Sequence, residues 1–410
     1  MRKSLTIFAL ILSGETVFLL PFVIPRIFRP TFLKTFEITN FELGAAFSLY
    51  GVIAMVSYFA GGPLADRFSA RKLMTIALAV TSVGGISMAF IPSLFVLTIL
   101  YGFWGLTTIL LYWAAFVKAT REIGSDKTQG RIFGLVDGGR GLVAALLASL
   151  SVLLFDALLP VHADLATIED LSKALGIIIL IFSGLTLLTA FLIWFSIPEN
   201  ASTTVDYASR LSLKGVREVV KKPSIWMQSI ILLCAYVGYK STDDFSLYAS
   251  KAFGYNDVDA AHMGTISFWM RPIAAFGAGI IGDWLRLSKM VGICFLVMIL
   301  GGTVISFGLL APGMPLMIAL TIASISAGIY GLRGLYYALL QESKIPLTLT
   351  GSAVGIVSVI GYSPDIFMGP LMGYVLDSSP GETGHQHLFA IVAGFGVIGL
   401  ITSLLFRRSY

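Results

Sequence analysis

Ionisable side chains interrupt apolar sequence at places where only another protein group or a solute could balance them. Glu15, Arg140, Lys240, Asp243, Arg271, Arg333 and Asp365 each stand inside a long hydrophobic block. At the centre of a membrane helix such a residue costs about 2.5–3.5 kcal/mol on insertion scales, so each one requires a counter-charge or a task. Two chemistries fit. A guanidinium or ammonium group without an acidic neighbour can hold an anion, and the planar fork of arginine suits carboxylate, phosphate or sulfonate. An isolated carboxyl group, desolvated at depth, can carry a proton.

Spacing sorts these residues. Asp137 and Arg140 are three apart, as are Lys240 and Asp243, so each pair shares a helical face and can neutralise itself. Arg271 and Arg333 have no acid within a turn and need a partner on another helix or on the substrate. They lead the anion-binding candidates, joined by Arg140 and Lys240. Glu15 and Asp365 are isolated acids, and with Asp137 and Asp243 they make up the proton-coupling candidates. The alternative for the isolated acids is a permanent ion pair with Arg140 or Arg271. Aromatic residues accompany the charges at helical spacing: Tyr236 and Tyr239 beside Lys240, Tyr330 and Tyr337 around Arg333, and a third stripe of Tyr101, Trp104, Thr108 and Tyr112. Such stripes usually pack, but a Tyr hydroxyl beside a buried charge favours a binding cavity. Tyr239, Tyr330, Tyr337 and Tyr112 therefore join the substrate-binding set.

The elements that must position these groups are membrane helices. The 410 residues are 56% hydrophobic and only 12% charged, against about 25% charged in soluble domains. Blocks of the length needed to cross ~30 Å of hydrocarbon predict helices at 5–27 (α1), 42–65 (α2), 73–91 (α3), 94–118 (α4), 131–159 (α5), 171–197 (α6), 223–251 (α7), 260–284 (α8), 289–310 (α9), 315–340 (α10), 350–377 (α11) and 387–406 (α12). On helix rise, Glu15 and Arg271 lie about 16–17 Å into their helices, near the midplane. The expected class is an all-α integral membrane protein in two six-helix bundles, residues 1–197 and 223–410. The linker, 198–222, carries a short amphipathic helix with Val216, Val219 and Val220 on one face. The first block reads as a retained helix, since Glu15 interrupts it and no small-residue cleavage site follows. Cys234 and Cys294 lie inside apolar blocks, which argues against a disulfide framework, and the four histidines lack zinc-ligand spacing, with His385 and His387 expected in a loop.

Basic residues orient the chain. With both termini cytoplasmic, 19 Lys/Arg fall on the cytoplasmic side, five on the opposite side (Arg26, Arg29, Lys34, Lys173, Lys251) and four inside helices. This is a strong positive-inside bias. It accounts for the basic excess without nucleic acid.

One loop carries a motif. Gly62, Asp66, Arg67, Arg71 and Lys72 stand between α2 and α3 in the order Gly-x-x-x-Asp-Arg-x-Ser-x-Arg-Lys, and a degraded copy, Gly279 to Lys289 with Asp283, follows between α8 and α9. Asp66 and Asp283 are 217 residues apart, the offset that carries α7 back onto α1. A duplicated six-helix unit leaves such an echo. The loop resembles the signature of the major facilitator superfamily, with Ser69 where that family usually has glycine. The resemblance implies a latch that holds the cytoplasmic side shut, with Asp66 facing the start of α11 and with Arg67, Arg71 and Lys72 pairing with carboxylates such as Glu122 or with lipid phosphate. The α10–α11 layout is loosely similar to the organophosphate and organic-anion branches, and the chain resembles the YihN-like transporters of enteric bacteria. In α5, Gly134 to Gly141 departs from the pattern of drug–proton antiporters.

The expected function is secondary active transport, across the bacterial inner membrane, of an organic anion: a phosphate ester, sulfonate or carboxylate. Alternating access, driven by a proton or solute gradient, would move it, since no nucleotide-binding loop or ATPase segment is present. The expected partners are the substrate, protons and lipid, with the protein monomeric and without cofactor or metal. Proton-coupled drug efflux and a non-transporting sensor of the same fold are the alternatives. No catalytic set marks an enzyme.

Overall fold

A computed structural model of the chain describes residues 2–123, 129–199, 213–336, 339 and 350–409. Among these, twelve long helical segments follow one another, and ten are long and apolar enough to cross a membrane. α1 runs from Arg2–Phe18 through a π-helical stretch, Leu19–Val23, to Ile24–Ile27. α2 is Asn40–Arg67, α3 Ala70–Ala89, α4 Leu94–Ile123, α5 Gln129–Leu158 and α6 Ile168–Ser196. In the second half α7 comprises Pro223–Ser241 and Phe245–Phe253, joined by a 3-10 turn at Thr242–Asp244. α8 is Asp257–Trp284, α9 Leu287–Ser306, α10 Pro315–Leu335, α11 Thr350–Gly361 plus Pro364–Ser378, and α12 Glu382–Ser409. Tyr337 and the side chain of Asp283 lie outside the described residues, as do 200–212 of the linker. Leu213–Val220 is helical, with Val219 buried and Val220 exposed.

The helix ends follow from local chemistry. Thr39 and Glu42 form a capping box on α2, and Thr167 and Asp170 form one on α6. Pro223 and Pro315 open α7 and α10, where a missing N–H costs nothing. Ser69 explains its departure from glycine: its hydroxyl caps α3 by accepting from the Lys72 N–H at 3.4 Å. Two expectations are corrected. α11, expected as one helix over 350–377, breaks after Gly361 and restarts at Pro364, because the proline lacks the donor that would continue the helix. α12 starts at Glu382, so His385 and His387 are helical and not in a loop. His385 is buried on α12, with Nδ1 2.6 Å from Asp244 of α7.

The first six helices pack around Phe28, Tyr101, Trp104 and Phe155, and the last six around Phe245, Phe295, Met298 and Phe389. The halves meet along α2–α11 and α5–α8. Remote from the termini the α2–α11 contact is very close. A Cβ on Gly44 would come within 2.1 Å of the Gly369 carbonyl oxygen, and one on Gly373 within 2.4 Å of Phe41 Cα. Small residues permit this backbone approach. Toward the termini the same helices part: Gly62 of α2 and Gly355 of α11 have nothing within 4 Å of a Cβ position, nor do Gly134 of α5 and Gly277 of α8. The seam is shut at one end and open at the other.

Replacing Gly44 with Ala should therefore force α2 from α11 and open the remote end. In a background without Cys234 and Cys294, a cysteine at the buried Ser246 should become reactive toward an impermeant thiol reagent applied from that side. Unchanged labelling would refute this role for the glycine contact.

Candidate functional site

Between the halves lies a cavity of about 310 Å³, within the range of small-molecule sites. Its charged lining is Glu15 and Arg26 from α1, Asp137 and Arg140 from α5, Lys240 from α7, Arg271 from α8, Arg333 from α10 and Asp365 from α11. Tyr236, Tyr239, Tyr330 and Tyr362 add aromatic walls. Exposure falls along it: the Asp137 side chain is 68% exposed at the end nearer the termini, while Arg26 at the remote end is 5% exposed. The cavity thus opens toward the termini.

Carboxylates tie these cations together. Glu15 accepts from Arg271 Nη1 at 3.1 Å and lies 3.8 Å from Arg140 Nε. Arg140 also reaches Asp137 at 3.3 Å. Gly14 makes the Glu15 cluster possible, because a Cβ there would sit 2.6 Å from Arg140 Cδ. Gly138 and Gly141 let α5 approach Phe276, Arg271 and Pro272 of α8. Lys240 lies 3.5 Å from both Asp243 and Asp365, and Asp365 accepts from the Tyr236 hydroxyl at 3.1 Å. The pairs at i,i+3 expected for Asp137–Arg140 and Lys240–Asp243 are formed. Arg271, expected to lack a local partner, finds one in the opposite half.

Arg333 differs. Its guanidinium stacks 3.8 Å above the Tyr239 ring, and its Nη1 is buried without a hydrogen-bond partner. Among the described residues no carboxylate lies within ion-pair distance of it. Tyr330 lies beside it in the same wall.

Tyr112 is corrected. It is fully buried, donates to Ser13 Oγ at 2.8 Å and stacks on Phe116, so it packs the first half and does not line the cavity. Trp113 lines it instead. Tyr101, Trp104 and Thr108 are fully buried as well, so the stripe does share one helical face, and that face packs inside the first half, with Trp104 donating to the Thr81 carbonyl and Thr108 meeting Tyr50.

Arg26, one of the five basic residues on the side opposite the termini, is buried at the closed end. Its Nε meets Asp243 Oδ1 at 2.5 Å, Nη1 donates to the Tyr239 hydroxyl at 3.3 Å, and Ser246 caps its carbonyl at 2.9 Å. A signal for it existed in the sequence: Arg26 and Asp243 are 217 residues apart, the offset of Asp66 and Asp283. Equivalent positions of two repeats can touch only near the axis that relates them.

At the open end the ion pairs that the loop between α2 and α3 makes among the described residues lie within the first half. Among the described residues Asp66 forms no hydrogen bond or ion pair, and Arg67 is exposed. Arg71 and Lys72 grip Glu199 at the end of α6, the latter at 2.8 Å, and Arg71 stacks on Trp194. The hydrogen bond from Lys72 and the nearby Arg71 hold the Glu199 carboxyl below its ordinary range.

Three comparisons bear on this arrangement. The Major Facilitator Superfamily profile matches residues 6–367. The chain is 28% identical to the inner membrane protein YqcE of Escherichia coli (strain K12), covering 99% of this chain and 95% of that one. It is 25% identical to the inner membrane protein YihN of the same strain, covering 98% and 95%. In fold it is similar to a bacterial homologue of the human lysosomal transporter Spinster in an inward-facing, unoccupied conformation, with TM-score 0.71, 16% identity and coverage of 100% and 98%.

Two outcomes follow from the pairs. Asp243→Asn leaves Arg26 buried without its carboxylate and should cost about 3–5 kcal/mol in unfolding. Adding Arg26→Gln should recover most of that loss, whereas additive losses would show that the two do not act as a pair. For Glu199, whose pKa is depressed, the stabilisation is complete above the ordinary value of 4.5 and is lost as pH falls through the lowered one. The melting-temperature difference between the wild type and Glu199→Gln should stay flat from pH 8 to 5 and close only in stronger acid.

Proposed function

The chain belongs to the Major Facilitator Superfamily and is a secondary transporter, not an enzyme; on that premise we propose that it carries an organic anion across the bacterial inner membrane, with Arg333 as the charge anchor. Support comes from one observation above all: a guanidinium in the cavity lining has a buried Nη1 without a hydrogen-bond partner and no carboxylate partner among the described residues. A cation held that way favours an anionic ligand, which would supply the missing acceptors.

The closed remote end and open terminal end fit one state of an alternating-access cycle, in which the halves rock about the cavity. The positive-inside bias supports cytoplasmic termini, and with them an open end that faces the cytoplasm. In this reading Arg271, Arg140 and Lys240 shape the field around the substrate while remaining paired, and Tyr239 and Tyr330 form the wall that it contacts. Asp365 and Asp137, held less tightly than Asp243, are the carboxylates suited to exchange a proton; Glu15, between two arginines, serves as a structural counter-ion. Asp66 would engage only when the cytoplasmic end closes.

Arg333→Gln should remove about 1.5–3 kcal/mol of anion binding, roughly 10- to 100-fold in affinity. The reading predicts that carboxylated, sulfonated or phosphorylated metabolites raise the melting temperature of the purified protein and enter proteoliposomes, and that both effects fade in this variant. Equal stabilisation of wild type and variant by every anion would defeat it.

A further inference from the structure

The charges around the cavity do more than mark it as anion-binding; they set how much negative charge it takes. Five cationic side chains and three carboxylates line it, and a fourth carboxylate, Asp243, pairs with Arg26 and Lys240 of that lining. Every carboxylate is engaged by at least one cation within 4 Å: Glu15 by Arg271 and Arg140, Asp137 by Arg140, Asp243 by Arg26 and Lys240, and Asp365 by Lys240. With Asp243 counted, the excess is one positive charge, and Arg333 is the cation with no carboxylate partner among the described residues.

Resting on the anion reading above, we propose that the cavity is selective for singly charged organic anions. A monoanion on Arg333 leaves the lining neutral when the halves close and water leaves. A dianion leaves one negative charge uncompensated, and burial penalises unpaired charge steeply. In the open state, water at the mouth near Asp137 screens part of that penalty, so discrimination is weaker in binding than in transport, where the site must close. The aromatic walls, with Tyr236 against Tyr362 at 4.9 Å and Tyr239 against Tyr330 at 6.3 Å, suit probes with a flat ring.

The test uses the full chain and three ligands that share a phenyl group: benzenesulfonate and methyl phenyl phosphate, both singly charged, and phenyl phosphate, doubly charged at pH 8 because its second pKa is about 6. Thermal stabilisation in detergent and uptake into proteoliposomes without an imposed gradient are measured at pH 8. The two monoanions should bind at least about tenfold more tightly than phenyl phosphate, and the ratio should widen in uptake. Asp365→Asn, which raises the excess to two positive charges, should reverse the order. If that variant fails to fold, Asp137→Asn at the solvated mouth makes the same change of charge. Phenyl phosphate equalling or surpassing the monoanions in wild-type protein, or an order unmoved by either variant, would overturn the single-charge rule while leaving the anion reading intact. If none of the three ligands stabilises the wild type, both it and the anion reading fail.

Discussion

Charge inside hydrocarbon has to be balanced by charge on the same molecule or on its ligand, because lipid offers no solvation. The arrangement of this protein follows from that constraint. Its central charges are spread over six helices from both halves, so balancing them requires the halves to come together. The Arg26–Asp243 pair shows this most directly. It joins equivalent positions of the two repeats at the closed end of the cavity. The 3-10 turn at Thr242–Asp244 turns adjacent carboxylates in opposite directions, Asp243 toward α1 across the seam and Asp244 back toward His385 of α12. One acid ties the halves together and its neighbour ties the turn to its own bundle.

Glycine and helix irregularity give the charges room. Gly14 admits the Arg140 side chain beside Glu15, and Gly51 lets α2 rest against the backbone at Asp365. The irregular segments also gather at the cavity: the π stretches of α1 and α4, the 3-10 turn of α7 and the break in α11 before Asp365. Irregular backbone in a membrane protein is tolerated where other protein or a water-filled cavity satisfies its polar groups. Asp365 stands in the first turn of the restarted helix, where the positive end of the helix dipole favours a carboxylate.

The halves divide the work unevenly. The first contributes Glu15, Asp137, Arg140 and Arg26, along with the motif loop; the second contributes Lys240, Asp243, Asp365, Arg271 and Arg333. With the remote end shut, Arg71 and Lys72 of the loop turn to Glu199 within their own half. The two ends of the molecule therefore use different contacts: glycine packing and buried ion pairs at one, and an exposed charged loop at the other.

Length, hydropathy and the repeat of the Asp66 loop at Asp283 were enough to determine the twelve helices, their pairing into halves and the family, because each depends on local composition or on spacing along the chain. The intramembrane charges were equally visible, since a charge in an apolar block stands out whatever it touches. Which of them were spoken for was not visible. Arg271 and Arg333 look alike along the chain, and only tertiary packing gave the first a carboxylate 256 residues away and left the second stacked on Tyr239. The stripe of Tyr101, Trp104, Thr108 and Tyr112 was visible as one face of α4, but whether that face meets the rest of its own half or the cavity is decided only by packing. Arg26 counted only as a charge opposite the termini, because its partner lies on the other repeat, near the axis that only the folded pair of halves creates.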